Sequence, residues 1–205
     1  MDTRTRILET ALRMFLVHGY EQTSMRELAQ ELRLTKPAIY HYFAGKEALA
    51  LAVVQLFEER ILDWVKQRRR AVRDFDSYLR FMCEAIPAFS HVERVVLRDE
   101  LPQGYRHGFN EFVSSLAGVN PDVRQRMAEM FQRTRASLRG ICAEAMEQGQ
   151  LRGDVDVEAL SFLLHATVEG MGVLTHFEPG LDEETISNKL YTALHTILKP
   201  VGGER

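Results

Sequence analysis

The stretch that decides the fold covers residues 19–49 and reads GYEQTSMRELAQELRLTKPAIYHYFAGKEAL. Ser24 and Glu27 have the S-x-x-E spacing of a capping box, in which each side chain satisfies the other residue's backbone amide. A second cap is expected at Thr35, and Pro37 fits the first turn of the helix that follows. The segment therefore predicts a helix, a tight turn and a short second helix. This is the layout of a helix-turn-helix, which places its second helix in the major groove of DNA.

The second helix of this segment has an apolar face and a face that can meet DNA. Ile39 and Phe43 lie four residues apart and are expected to pack inward. Next to this helix, residues 45–47 open another one, and its N-terminal amides together with Lys46 form a potential phosphate site. Tyr42 can direct its hydroxyl to a phosphate. The predicted DNA-binding residues are Ser24, Arg26, Thr35, Lys36, Pro37, Ala38, Tyr40, His41, Tyr42 and Lys46. The alternative is a structural helical hairpin with Tyr40, Tyr42 and Phe43 in its core.

These residues resemble the DNA-binding domain of the TetR family of bacterial transcriptional repressors. The matching positions are residues 19–20, 23–29, 38–43 and 46–49. Arg33 departs from the family, which usually has glycine there, and a left-handed backbone at Arg33 would cost up to about 1 kcal/mol. Pro37 stands where the family usually has a small residue, and this restricts the set of bases that the second helix can approach. The resemblance implies a ligand-responsive repressor that a small-molecule effector releases from a palindromic operator.

Composition indicates an all-α protein, and we separately expect neither a cofactor nor a metal. The 205 residues include only 6 Pro and 13 Gly, and alternating β-branched runs are scarce. Cys83 and Cys142 lack metal-site spacing, so we interpret them as reduced, buried thiols of a cytoplasmic protein. The N-terminus is amphipathic and does not resemble a signal peptide. Residues 157–177 are the most apolar stretch, but they include Glu158 and Glu169, which favours a buried helix over a membrane span.

The charge is divided along the chain. The formal net charge is −3, but residues 1–74 hold 13 Lys or Arg against 10 Asp or Glu, whereas residues 75–205 hold 13 against 19. Positive charge is therefore concentrated where phosphates would bind. The excess of +3 is small, so we expect modest non-specific affinity and specificity that depends on a dimer. The basic run at residues 66–70 is either a solvated helix end or a supplementary contact to a phosphate or an anionic ligand.

We predict an N-terminal three-helix helix-turn-helix domain at residues 1–47, joined by a long helix to a C-terminal helical bundle that dimerises, at residues 48–205. The apolar positions of the fourth helix keep their period across this boundary, so it is expected to act as a rod. The predicted helices outside the central motif are residues 3–18, 46–70, 76–90, 92–101, 105–116, 121–148, 157–177 and 182–198.

Two of these helices are candidates for a homodimer interface. Residues 157–177 are apolar on nearly all sides, and a helix of that kind must be covered all round. Residues 182–198 carry an amphipathic stripe. The two helices are expected to form half of a four-helix dimer interface, where TetR-like proteins also dimerise, and thus to pair two DNA-binding units. A monomer that buries both faces internally is the alternative.

The remaining helices could enclose a pocket for a small, largely apolar effector, since Met and Phe suit an adaptable cavity. The alternative to a pocket is an ordinary filled core. If there is a pocket, the basic run at residues 66–70 leaves an acyl-thioester or another anion as a second class of effector. The candidate ligand-binding residues are Met82, Ile86, Phe89, Met127, Met130, Phe131, Thr134, Thr167 and Met171.

Several histidines could carry other roles. His165 and Glu169 lie four residues apart and could bind a metal, but without a convincing third ligand we expect an ion pair or hydrogen bond. His91 and His107 either face a ligand or lie in solvent. The sequence has no motif typical of an enzyme site. A helical adaptor that uses the same dimer surface without DNA is the other class of function to be tested.

Overall fold

The computed structural model describes residues 2–86, 97, 109–178 and 180–200, and nine α-helices fall within them. No strand is present in these ranges, which confirms the predicted all-α class. The helices are α1 (Thr3–His18), α2 (Met25–Glu31), α3 (Lys36–Tyr42), α4 (Lys46–Arg68), α5 (Phe75–Glu84), α6 (Phe109–Val119), α7 (Pro121–Glu147), α8 (Val157–Phe177) and α9 (Glu183–Leu198).

The helix boundaries follow local signals. Gly19 ends α1 with a φ of 83°, and Gly149 follows α7 with a φ of 69°, a conformation that costs glycine little. Helix α4 ends two residues earlier than predicted, because residues Arg69–Ala71 form a 3-10 turn. Asp74 then caps α5, so this helix starts one residue before the predicted 76. The predicted helix 92–101 lies outside the described residues except for Leu97, as does the start of the helix predicted at 105.

Two compact units make up the chain, and neither is continuous in sequence. Unit 1 comprises Met1–Asp63 and Val92–Ala128, and unit 2 comprises Trp64–His91 and Glu129–Arg205. Two of the three boundaries, at 63/64 and 128/129, fall inside α4 and α7. The predicted division at residues 47 and 48 concerns the roles of the two parts and stays a prediction.

Unit 1 packs α6 and the first residues of α7 with the N-terminal helices. The rings of Phe15 in α1 and Phe112 in α6 stack at a centroid distance of 5.2 Å. Glu58 in α4 is only 4% exposed, and its carboxylate accepts a 2.7 Å hydrogen bond from Nε of Arg126 in α7. Distant parts of the sequence therefore contribute to the core beneath the helix-turn-helix.

Unit 2 is organised around α5 and α9. The Asp76 carboxylate of α5 accepts a 2.7 Å hydrogen bond from the Tyr191 hydroxyl of α9 and lies 2.7 Å from His195 Nδ1. Cys83 and Cys142 are buried, and burial raises the pKa of each thiol to about 11. At neutral pH both are therefore protonated and unreactive, as expected for structural thiols.

Candidate nucleic-acid interface

Helix α2 begins with the capping box that the sequence predicts. The Glu27 amide donates to Ser24 Oγ at 3.2 Å, and the Ser24 amide donates to Glu27 Oε2 at 2.8 Å. Hydrogen bonds to the Glu27 carboxylate from the Ser24 hydroxyl and, with a smaller effect, from the Ser24 amide favour its ionised form and so lower the pKa of Glu27. On the inner side Met25, Leu28 and Ala29 are buried, whereas Arg26 is exposed. The cap therefore fixes where α2 starts and leaves Arg26 on the outer side.

The turn between α2 and α3 requires a left-handed residue, and that residue is Arg33. Its φ is 54°, and it is the only non-glycine residue with positive φ in the described parts of the chain. The Leu34 amide donates to the Ala29 carbonyl at 2.9 Å, which closes the end of α2. A side chain costs about 1 kcal/mol in this conformation, as expected for an arginine at a glycine position.

Helix α3 presents its aromatic residues in two directions. Thr35 Oγ1 caps the helix by accepting from the Ala38 amide at 3.3 Å, and Pro37 lies in its first turn. Ile39 is fully buried and Phe43 is 5% exposed, whereas Tyr40 and Tyr42 are 43% and 41% exposed. The structure therefore contradicts a hairpin core containing both tyrosines, and it confirms Ile39 and Phe43 as core.

The outer face of α3 combines a lysine, a histidine and exposed tyrosine rings. Lys36 Nζ lies 5.6 Å from the centre of the Tyr40 ring, and the His41 and Tyr42 rings meet edge to face at 5.3 Å. These pairs orient their side chains without burying them. All predicted DNA-binding residues are exposed except Ala38 and Lys46, which are partly buried. Which of them touch DNA stays a prediction.

Lys46 is held more tightly than the sequence indicates. Its ammonium group donates to the Glu21 carbonyl at 3.2 Å and lies 4.2 Å from the centre of the Tyr20 ring. Burial raises the pKa of the Tyr20 hydroxyl to about 12, with smaller contributions from Glu47 and Glu21. Lys46 thus ties the start of α4 to the turn before α2, a structural role that sequence spacing did not predict.

One cation near this surface was missed by the sequence analysis. The Arg4 guanidinium in the first turns of α1 lies 5.4 Å from the centre of the Phe43 ring, at the C-terminal end of α3. No sequence pattern predicts this contact, because the spacing of residues within α1 does not show which part of α1 packs near α3.

The effector candidates are spread over both units. Met127 packs against the core of unit 1, whereas Ile86 and Met171 are buried residues of unit 2, and Phe89 lies outside the described residues. Within unit 2, Met82 packs against the core, and Met130 is partly buried. As a group, these candidates stay a prediction.

Three further candidates already have partners. The hydroxyl of Thr134 donates to the Met130 carbonyl at 3.0 Å, and that of Thr167 donates to the Leu163 carbonyl at 2.8 Å. Both hydroxyls are therefore bonded to their own helix. The Phe131 ring meets the His165 ring edge to face at 5.3 Å.

His165 Nε2 lies 3.5 Å from Glu169 Oε1, within reach of an ion pair if the histidine is protonated. No group of three or more metal-binding side chains is found in the described ranges. His91 and His107 lie outside those ranges.

Helix α8 has a partly uncovered apolar surface. The exposed large apolar residues of this helix are Phe162, Leu163, Val173, Leu174 and Phe177. Leu160, Leu164 and Met171 are buried on the opposite side. In α9, Leu194 packs against the core of unit 2, while Ala193 and Ile197 are exposed. Exposed apolar area of this kind marks an interaction surface.

By length and composition, Val157–Thr175 could also cross a membrane, with a mean hydropathy of 1.3. One such helix is equally typical of a protein core.

Comparison with known proteins assigns both parts of the chain. Residues 7–53 match the family described as bacterial regulatory proteins, tetR family, and residues 111–190 match the tetracyclin repressor-like C-terminal domain. The chain is 25% identical over 203 residues to the HTH-type transcriptional repressor AcnR of Corynebacterium efficiens, which covers 98% of this chain and 95% of that protein.

Solved structures show the same fold. A TetR transcriptional regulator from Chloroflexus aurantiacus superposes with a TM-score of 0.79 at 23% identity, over 96% of each chain. A putative transcriptional regulator from Saccharomonospora viridis, in complex with choline, superposes with a TM-score of 0.76 at 20% identity, over 96% of this chain and 97% of that one.

Proposed function

Because the chain belongs to the TetR family of bacterial transcriptional regulators, we propose that it is a ligand-responsive repressor that binds a palindromic operator as a homodimer. The observation that carries this proposal is the outer face of α3. That short helix buries Ile39 and Phe43 and leaves Lys36, Tyr40 and His41 exposed. A helix anchored on one side and polar on the other can enter a major groove without exposing its core.

The surrounding residues fit the two kinds of contact that specific DNA binding requires. Tyr42 and the start of α4 at Lys46 suit phosphates, which position the protein but carry no sequence information. Lys36 and His41 suit base edges in the groove. Phosphate contacts act on all sequences alike, and base contacts discriminate among them.

A dimer is supported by the exposed apolar residues of α8. Covering them with the same surface of a second copy would remove them from water and place two DNA-binding units on one operator. Helix α9 contributes Ala193 and Ile197 to the proposed interface at residues 157–177 and 182–198.

The release step is the part that requires an effector. A bound ligand shifts the protein toward a form that does not bind DNA only if it prefers that form, and a near-complete switch needs a preference of about 5.5 kcal/mol. The structure solved with choline supports a small-molecule site in this fold. At 20% identity it does not indicate that choline is the ligand of this chain. Repression rather than activation is supported by the name of AcnR. We place the protein in the cytoplasm, where its operator lies.

The test is fluorescence anisotropy with a palindrome from the promoter region of the protein's own gene, in low salt. We expect binding that excess non-specific DNA does not abolish and that weakens steeply with salt. Replacing Lys36 with Ala should change the preferred sequence, whereas replacing Tyr42 with Phe should weaken binding to all sequences. An intact dimer without DNA affinity would contradict the proposal and favour the helical adaptor.

A further inference from the structure

Unit 2 contains a cleft of about 660 Å³ that includes none of the nine effector candidates among its lining residues. It lies between the end of α4, the 3-10 turn and α5. Its apolar part includes Trp64, Val72 and Phe81, and the Trp64 and Phe81 ring centroids are 6.5 Å apart. A cleft of this size, apolar on one side and with a few polar groups, is typical of small-molecule sites.

Two arginines line the same cleft, and both are held by aromatic rings. The Arg68 guanidinium lies 4.6 Å from the centre of the Trp64 ring, and that of Arg80 lies 4.0 Å from the centre of the Tyr191 ring. Both side chains remain exposed. Arg80 also donates a hydrogen bond to the Tyr191 hydroxyl. A guanidinium has five N–H donors, so one stacked on a ring can still bind a carboxylate with two parallel hydrogen bonds at its edge.

The local charge favours an anion. Residues 64–80 hold six Lys or Arg against two Asp, a net charge of +4 in a chain whose total is −3. Asp76 and Glu84 also line the cleft. However, one oxygen of the Asp76 carboxylate already accepts from Tyr191 and contacts His195, so that oxygen is engaged outside the proposed ligand contact. Glu84, at the end of α5, is the remaining acid. Within the lining, Arg68 and Arg80 balance Asp76 and Glu84 in formal charge, so the positive excess that attracts anions comes from the neighbouring basic residues of segment 64–80.

We propose that this cleft binds an organic carboxylate with an apolar body. The carboxylate pairs with Arg68 and Arg80, and the apolar body lies against Trp64, Val72 and Phe81. Binding of the carboxylate in the cleft does not require DNA. The further step, that this ligand acts as an effector, rests on the proposed function.

The experiment uses the full-length protein and its single tryptophan as a reporter, because Trp64 lines the cleft. Three probes of nearly equal shape are titrated: 3-phenylpropionate, the neutral 3-phenylpropanamide and the cationic 3-phenylpropylamine. We expect a saturable change in Trp64 emission with the carboxylate, and binding at least ten-fold weaker with the other two. Equal binding of the amide, or of inorganic sulfate, would overturn the proposal, since charge and apolar body must both contribute.

Two variants locate the site, with isothermal titration calorimetry as a readout independent of fluorescence. Arg68→Gln and Arg80→Gln should each weaken 3-phenylpropionate binding at least five-fold. Arg135→Gln is the matched control, because Arg135 lies 5.0 Å from the centre of the Phe162 ring and does not line the cleft. Unchanged affinity in both cleft variants, or equal loss in the control, would overturn the assignment. Circular dichroism checks that all three variants are folded.

Operator binding is measured on the same preparations. Carboxylate binding without any DNA binding would leave this site in place and contradict the repressor. DNA binding without a carboxylate signal in either readout would contradict the site alone.

Discussion

Helix α3 of unit 1 and helix α8 of unit 2 both leave large side chains in solvent, but these side chains differ in kind. On α3 of unit 1 the exposed aromatics are Tyr40 and Tyr42, which carry hydroxyls and whose rings lie near Lys36 and His41. On α8 of unit 2 residues such as Leu163 and Leu174 are about half exposed and have no polar atom to offer. Amphipathic rings suit a wet, charged surface such as DNA. Purely apolar side chains gain only from a partner that excludes water, which indicates a protein partner.

The largest effect is expected from charging the apolar surface of α8. In the Leu163→Glu, Leu174→Glu double variant, four carboxylates would enter one dimer interface, and the cost of desolvating them should dissociate it. We expect the mass in light scattering to fall from two chains to one. Operator affinity should fall at least a hundred-fold, because the two DNA-binding units are no longer linked.

Leu62→Glu is the control for this variant, since Leu62 is 58% exposed but lies on α4. It should leave mass and affinity unchanged. A double variant that remains a dimer would show that the partner surface lies elsewhere.

The next effect compares ion pairs in the two units. Glu58 is 4% exposed and pairs with Arg126, so Glu58→Gln leaves a partly buried guanidinium with a weaker partner. We expect the free energy of unfolding to fall by about 2 kcal/mol, a value reduced because Arg126 is one third exposed. Urea unfolding followed by circular dichroism measures it.

Glu158→Gln provides the matched pair, because Glu158 and Arg139 are 3.3 Å apart but both side chains are more than half exposed. Its effect should be close to zero. Similar losses in both variants would contradict the distinction between the buried and the exposed pair.

A smaller effect should follow when the hydroxyl of Tyr42 is removed. Tyr42→Phe keeps the ring and removes the hydroxyl that we propose bonds to a phosphate, at an expected cost of about 1.5 kcal/mol for each DNA-binding unit. Anisotropy should show weaker binding to operator and non-specific DNA by the same factor. Tyr191→Phe removes a hydroxyl in unit 2 that bonds to Asp76 and should leave DNA affinity unchanged. A selective loss at the operator alone would make Tyr42 a base-reading residue instead.

The smallest effect concerns the two left-handed positions at helix ends. Arg33→Gly should raise the free energy of unfolding by up to about 1 kcal/mol, because glycine adopts a φ of 54° without steric cost. In unit 2 the reverse change, Gly149→Ala, should lower it by about 1 kcal/mol at a φ of 69°, although a Cβ there would meet no atom within 4 Å. Thermal and urea unfolding check both. A destabilising Arg33→Gly would mean that the arginine side chain makes contacts worth more than the strain.

The local features were predictable from sequence and the long-range ones were not. Caps at Ser24 and Thr35, and the bounds of α1 and α8, depend on neighbouring residues, so patterns in the chain reveal them. The contact of Phe15 with Phe112 joins residues far apart in sequence, and no spacing rule predicts such a pair.

The two candidate sites differ for the same reason. The DNA-binding surface is built from about twenty consecutive residues, and its exposed positions follow from helical period. The cleft at Trp64 depends on how α4, the turn and α5 meet, and one of its arginines, Arg80, is held by a ring from α9. The basic run at residues 66–70 is visible in the sequence, but only the packing shows that Arg68 lines a cleft with Arg80.

The discontinuity of unit 1 matters for anyone who wishes to build hybrid regulators. Exchanging the first 47 residues for those of a relative would replace α1. The new α1 would then have to pack with Phe112 and Leu116, which come from the unchanged α6. Such a hybrid would keep helix α3 intact but would have a mismatched core beneath the helix-turn-helix. Residues 92–128 should therefore be transferred together with the N-terminal helices when DNA specificity is moved to another regulator. A hybrid gene then needs two separate segments from the same donor.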